Sequence, residues 1–151
     1  MSAQTPDIPT LGESILEQMA EAVIYANREG VIERWNTAAV QMFGFSATEA
    51  IGQRLDLMIP EPLRAAHWRG FDAAMNSGAL RLNGRPTLTR GLHQSGRKLY
   101  IEMSFALVRE ATNQVLGSVA VARDVTERIE REKAARAAPR SAGGRTDYAV
   151  L

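Results

Sequence analysis

Cysteine is absent from this chain of 151 residues, and its absence removes several chemistries at once. Disulfides, thiolate zinc sites, iron–sulfur clusters and cysteine nucleophiles all need this side chain, so the sequence excludes them. Light sensing through a flavin–cysteine adduct or a thioester-linked chromophore is excluded for the same reason. Cofactor chemistry must therefore depend on other side chains, and the chain contains only two histidines.

Long apolar runs and a strong net charge are also missing. No apolar stretch approaches membrane-spanning length, and residues 1–10 lack the basic patch and apolar block of a secretion signal. The formal net charge of +1 gives no reason to expect a nucleic-acid surface. We therefore expect one cytoplasmic domain that contacts neither a membrane nor nucleic acid directly.

The hydrophobic periodicity predicts an α+β domain, a five-stranded antiparallel sheet with short helices and one longer helix on one face. The expected divisions are a flexible N-terminus at 1–10, the domain at 11–124, an exit helix at 125–138 and a disordered tail at 139–151. The predicted strands are Ala22–Ala26, Val31–Trp35, Ala79–Leu92 with a kink at Gly84–Pro86, Leu99–Leu107 and Val115–Ala122. The predicted helices are Leu11–Ala20, Thr37–Phe43, a short one after Ser46, and a long one from Pro62 to about Ser77.

Several helix ends carry residues with known capping preferences. Asn36 is expected to cap the helix that follows it, which Gly44 ends. Ser46 and Glu49 have the spacing of a capping box. Asp124 is expected to cap the charged C-terminal helix in the same way.

The long helix carries the residue that poses the main functional question. Pro62 suits the first turn of a helix. An apolar face follows from residues spaced by three and four, namely Leu63, His67, Gly70, Phe71 and Ala74. His67 therefore faces the core, and two interpretations stay open: a ligand, or a core histidine that donates to a backbone carbonyl.

Small residues favour a cavity beside this helix. Gly70 lies one turn from His67 and would let a flat ligand approach closely. On the last predicted strand, Ser118, Ala120 and Ala122 alternate on one face, which leaves space next to a sheet.

Short motifs occur in a fixed order along the chain. They are the Val23–Trp35 hairpin, Trp35-Asn36 with Ala38-Ala39, Phe43-Gly44-Phe45-Ser46 with Glu49 and Ile51-Gly52, the Gln94-Ser95-Gly96 turn, and Arg123-Asp124-Val125-Thr126-Glu127. Together they resemble the PAS family of sensory domains over about Leu11 to Ala138. The resemblance implies the PAS fold and flanking helices that pair two copies, with Leu11–Ala20 as the expected homodimer contact.

Around Pro60-Glu61-Pro62, Arg64 and His67, the chain is similar to oxygen-sensing heme-PAS kinases. This resemblance implies heme b, with His67 as the axial ligand of the iron. It also implies that the gas side of the heme is lined by Leu82, Met103 and Phe105, and that Ala120 leaves room for the porphyrin.

Two positions depart from that pattern. Thr87 stands where an arginine contacts bound ligand in those kinases, and Arg85 lies two residues earlier on the same expected strand face. Ala73 replaces an arginine that meets a heme propionate, and Met103 is placed to be a sixth iron ligand. Ligand sensing and heme anchoring would therefore differ from those of the kinases.

The resemblance implies a non-enzymatic sensory module that binds a small ligand. It would signal through dimerisation and its flanking helices in two-component or transcriptional control, acting on a partner protein or an effector domain. No spaced set of histidine, aspartate and glutamate indicates catalysis. The alternative is a domain with a filled core that acts purely in protein–protein pairing.

Five other positions complete the predictions. Trp35 is expected to pack in its strand, and Trp68 to point to the cavity rim or to a partner. His93 is interpreted as a surface residue near a turn. Val125 and Ile129 are too few for a heptad seam, so we expect a short exit helix instead of a coiled coil.

Overall fold

The computed structural model describes residues 8–81 and 84–137 of the chain. The tail predicted at 139–151 and most of the flexible segment predicted at 1–10 lie outside the described residues. The elements in chain order are α1 (Leu11–Gln18), β1 (Ala22–Asn27), β2 (Ile32–Trp35), α2 (Thr37–Phe43), α3 (Ala47–Ala50), a 3₁₀ helix (Leu55–Met58), α4 (Glu61–Ser77), β3 (Thr87–Leu92), β4 (Lys98–Arg109), β5 (Val115–Asp124) and α5 (Thr126–Arg136).

The strands form one antiparallel sheet in the order β2-β1-β5-β4-β3, which confirms the predicted α+β class. Phe105 pairs with Ala120, and Met103 pairs with Ala122. Because side chains alternate across a strand, these four residues share one face, and all four are buried. α2, α3, the 3₁₀ helix and α4 contribute their buried residues to the core on this face.

Asn36 is the predicted N-cap of α2 and also a junction between elements. It is 3% exposed, and its Oδ1 accepts from the backbone N–H groups of Ala39 at 3.0 Å and Val23 at 2.9 Å. Its Nδ2 donates to the carbonyl oxygens of Leu16 at 2.8 Å and Glu21 at 3.0 Å. One buried amide therefore connects α1, β1 and α2.

The predictions for Gly44 and for the Ser46–Glu49 capping box are also confirmed, and the prediction for Asp124 is not. Gly44 ends α2 with a left-handed φ of +81°. Ser46 and Glu49 make both bonds of the capping box, each at 3.1 Å. Asp124 is not the N-cap of α5, because β5 extends through it and Val125 takes that position.

The predicted third strand is wrong in its first half. β3 begins at Thr87, and neither the described residues from Ala79 to Arg81 nor those from Gly84 to Pro86 are strand. Gly84 has a φ of +75°, and Pro86 has no N–H to donate to a ladder, so the segment turns before the strand starts.

The two flanking helices differ in how they contact the domain. α1 has no buried residue, and Leu11 and Ile15 are 77% and 54% exposed. α5 is fixed to β4, because the Val125 N–H donates to the Tyr100 carbonyl at 2.9 Å and Ile129 is only 3% exposed. No helix in residues 8–81 and 84–137 is long and apolar enough to cross a membrane.

Candidate functional site

A cavity of about 60 Å³ lies between α4 and the core face of the sheet. The helical side of its lining is apolar apart from one imidazole. This side consists of Phe43, Leu55, Met58, Ile59, Leu63, His67 and Phe71.

His67 is the polar group on this side of the cavity. It is 5% exposed, and its Nδ1 is buried without a hydrogen-bond partner among the described residues. Burial lowers the pKa of His67 to about 4, against smaller opposing effects of the Asp56 and Asp72 carboxylates. The imidazole is therefore uncharged at neutral pH and has the lone pair that a metal ligand needs.

The opposite wall comes from the four neighbouring strands β1, β5, β4 and β3. Met103, Phe105 and Ala120 line it and are 6%, 8% and 6% exposed. Ser118 on β5 and Thr87 on β3 add hydroxyl groups to the lining. Five residues predicted as ligand contacts, His67, Thr87, Met103, Phe105 and Ala120, therefore meet at one cavity.

Three other predicted site residues are not brought there. Gly70 is half-buried and absent from the lining, because the buried side of α4 runs through Phe71 and Ala74. Arg85 is exposed in the turn before β3, so its expected place on a strand face is wrong. Leu82 lies outside the described residues.

Three cavity residues on β3, namely Thr89, Arg90 and Gly91, were not predicted. Thr89 lines the cavity two positions after Thr87, and strand alternation would have identified it once the start of β3 was known. Arg90 also borders the cavity, but it pairs with Tyr100, and alternation places its side chain on the other face of the sheet.

The two tryptophans occupy different environments. Trp35 is 3% exposed and donates from Nε1 to the Phe45 carbonyl at 3.0 Å, as strand packing predicts. Trp68 is half-buried, and its Nε1 donates to Asp56 at 2.7 Å. Trp68 was expected at the cavity rim or against a partner; its indole packs against Asp56 and Arg54 of its own chain and is not part of the cavity lining.

The fit of a heme can be tested against these contacts. A neutral, buried imidazole beside an apolar wall, with one nitrogen that no group in residues 8–81 and 84–137 bonds, has the donor chemistry that heme iron takes from histidine. Pockets for cofactor-sized ligands usually enclose roughly 300 Å³ or more. The chemistry of the lining therefore fits the group, whereas the cavity of about 60 Å³ must widen to hold it.

Comparison with known proteins identifies the family of this chain. The family model described as PAS fold matches residues 16–130. This chain belongs to the PAS fold family. The family prediction from the short motifs is thus confirmed.

The PAS domain is similar to parts of two curated sensors and to a solved structure. It is 43% identical to sensor protein FixL of Bradyrhizobium diazoefficiens over 54 residues, 36% of this chain and 11% of FixL. It is 25% identical to oxygen sensor protein DosP of Escherichia coli over 121 residues, 80% of this chain and 15% of DosP. A PAS domain from Colwellia psychrerythraea has a TM-score of 0.64 at 23% identity, covering 76% of this chain and 93% of that one. The chain thus spans only a small part of the curated relatives that it matches.

Proposed function

We propose that this PAS domain is a non-enzymatic sensory module whose cavity binds a small ligand, and that the ligand is heme b held by His67. The observation that carries the proposal is the uncharged, buried imidazole that lines an apolar cavity and whose Nδ1 has no hydrogen-bond partner among the described residues. One of the similar proteins is an oxygen sensor. Bound heme would supply an iron that takes up oxygen, carbon monoxide or nitric oxide, or changes redox state.

The residues of the chain would control this group from both sides. α4 presents the His67 imidazole, and Ala120 leaves space where a larger side chain would fill the cavity. Met103 and Phe105 exclude water from the sheet side, since both are nearly buried. In the oxygen-sensing kinases an arginine contacts bound ligand. This chain has Thr87 at that position, so a hydroxyl group would take the place of the guanidinium.

The proposed output runs through the sheet to the flanking helices. β4 lines the cavity with Met103 and Phe105, and the neighbouring Tyr100 bonds to the start of α5. A ligand that moves β4 would therefore move α5. We further propose a homodimer through the exposed Leu11 and Ile15 of α1, acting on a partner protein or effector domain in two-component or transcriptional control.

A second candidate function is a pure protein–protein interaction module. The small volume of the cavity, about 60 Å³, favours it, because side chains already occupy most of the space between α4 and the sheet. In that case pairing between PAS domains would be the whole function, and His67 would be a core residue.

An absorption spectrum of protein expressed with added heme separates the two candidates. A Soret band is expected in the wild type and in His93→Ala, and its loss is expected in His67→Ala. His93 is the matched control because it is the other of the two histidines and does not line the cavity. Absence of the band in the wild type, with a dimer that persists in sedimentation, would instead support the interaction module.

A further inference from the structure

Trp68 follows His67 on α4 and is held by three groups that lie outside this helix. Its Nε1–H donates to the Asp56 carboxylate at 2.7 Å. The Arg54 guanidinium carbon lies 4.0 Å from the indole centroid, a cation–π distance. On a third side the indole lies against Gly30, where an added Cβ would overlap Cη2 and Cζ3 of the ring.

Main-chain bonds that do not involve Trp68 hold these three groups in place relative to one another. Gly30 closes the β1–β2 turn with a φ of +77° and donates to the Asn27 carbonyl at 2.9 Å. Its own carbonyl accepts from the Leu55 N–H at 3.1 Å, and Val31 forms a β-bridge with Arg54. Main-chain bonds therefore hold the turn and the start of the 3₁₀ helix together, and the indole docks on both.

The indole in turn limits where the neighbouring imidazole can lie. The ring centroids of His67 and Trp68 are 4.8 Å apart, with their planes at 77°. Phe71 packs beside both rings, 6.0 Å from His67 and 5.4 Å from Trp68, so the three rings form one cluster. The imidazole therefore packs against two adjacent aromatic rings, and rotamers that would overlap either ring are closed to it.

We propose that Trp68 is a positioning residue for His67: Asp56, Arg54 and Gly30 fix the indole, and the indole holds the imidazole toward the cavity. This inference rests on the proposed function, since a positioned imidazole matters only if it contacts a ligand. Groups that orient a ligating histidine are often worth about 10-fold to 100-fold in metal affinity.

Two matched pairs of variants test the inference. Gly30→Ala puts a methyl group into the indole, whereas Gly52→Ala has a comparable left-handed φ of +92° with no atom within 4 Å of its Cβ. Asp56→Ala removes the acceptor for Trp68, whereas Asp56→Asn keeps an oxygen acceptor in place. If Gly30→Ala does not fold, the two Asp56 variants still decide the outcome.

The first measurement is the nuclear Overhauser effect between the ring protons of Trp68 and His67 in protein without heme. It is expected to weaken or change pattern in Gly30→Ala and Asp56→Ala and to match the wild type in Gly52→Ala and Asp56→Asn. An unchanged effect in Asp56→Ala, or equal changes within each pair, would overturn the positioning role.

The second measurement is heme affinity by titration, followed at the Soret band. An affinity about 10-fold lower or more is expected in Gly30→Ala and Asp56→Ala, relative to their controls. Equal affinity in all four variants, despite altered proton contacts, would overturn the inference. If the wild type takes up no heme, the proposed function fails, and the proton contacts still decide whether Trp68 positions His67.

Discussion

Acidification from pH 7 to pH 5 is expected to destabilise the heme-free protein through His67. The pKa of this imidazole is lowered from 6.5 to about 4, chiefly by burial. Between these two values the unfolded chain binds a proton that the folded protein does not. The free energy of unfolding must therefore fall as the pH falls from 6.5 to about 4. Above pH 6.5 His67 causes no such loss.

The size of the effect follows from the same shift. Each pKa unit corresponds to about 1.4 kcal/mol. Crossing the whole window costs about 3 kcal/mol, and at pH 5 about 2 kcal/mol of this has been lost. Solvent screening does not reduce the figure much, since His67 is 5% exposed.

Urea unfolding of the wild type and of His67→Leu at pH 7, 6 and 5 measures this contribution. Other groups titrate in both proteins, so the difference between their free energies of unfolding isolates the imidazole. That difference is expected to shift by about 2 kcal/mol in favour of the leucine variant between pH 7 and pH 5. Parallel pH profiles would refute the claim that His67 is buried and uncharged.

Three further predictions concern stability and assembly. Asn36→Ala should lower the free energy of unfolding by about 2–4 kcal/mol in urea titration, because four backbone groups lose their partner. Gly117→Ala should cost about 1–3 kcal/mol, seen as a lower melting temperature, because its Cβ would overlap the Ala26 carbonyl oxygen. Leu11→Glu combined with Ile15→Glu should convert a dimer to a monomer in sedimentation with little change in melting temperature, and an unchanged dimer would contradict the role of α1.

The helix ends were predictable because their signals are local. A capping preference depends on three or four consecutive residues, so Asn36, Gly44 and Ser46 could be identified without knowing the fold. Asp124 is not the N-cap, since β-pairing with β4 extends the strand through it. Its Oδ1 still accepts from the Thr126 N–H at 2.9 Å, so the local signal survives while strand pairing shifts the helix start by one residue.

The cavity was only partly predictable for a related reason. Strand alternation and family resemblance brought Met103, Phe105 and Ala120 to one wall. The contacts of Trp68 with Gly30 and Arg54 join segments that are far apart in sequence. The periodicity of the sequence therefore cannot predict them. The cavity volume depends on how α4 packs on the sheet. Sequence patterns do not predict this packing either.

The central place of β5 in the sheet affects how this domain is synthesised. β5 joins β1 to β4, so residues 22–35 and residues 87–109 become one sheet only when residues 115–124 are present. A nascent chain emerges N-terminus first. Until β5 leaves the ribosome, the strands on either side of its place present open edges that can pair with other chains. The domain must therefore complete its sheet in one late step, and a polypeptide stopped before Val115 is expected to aggregate.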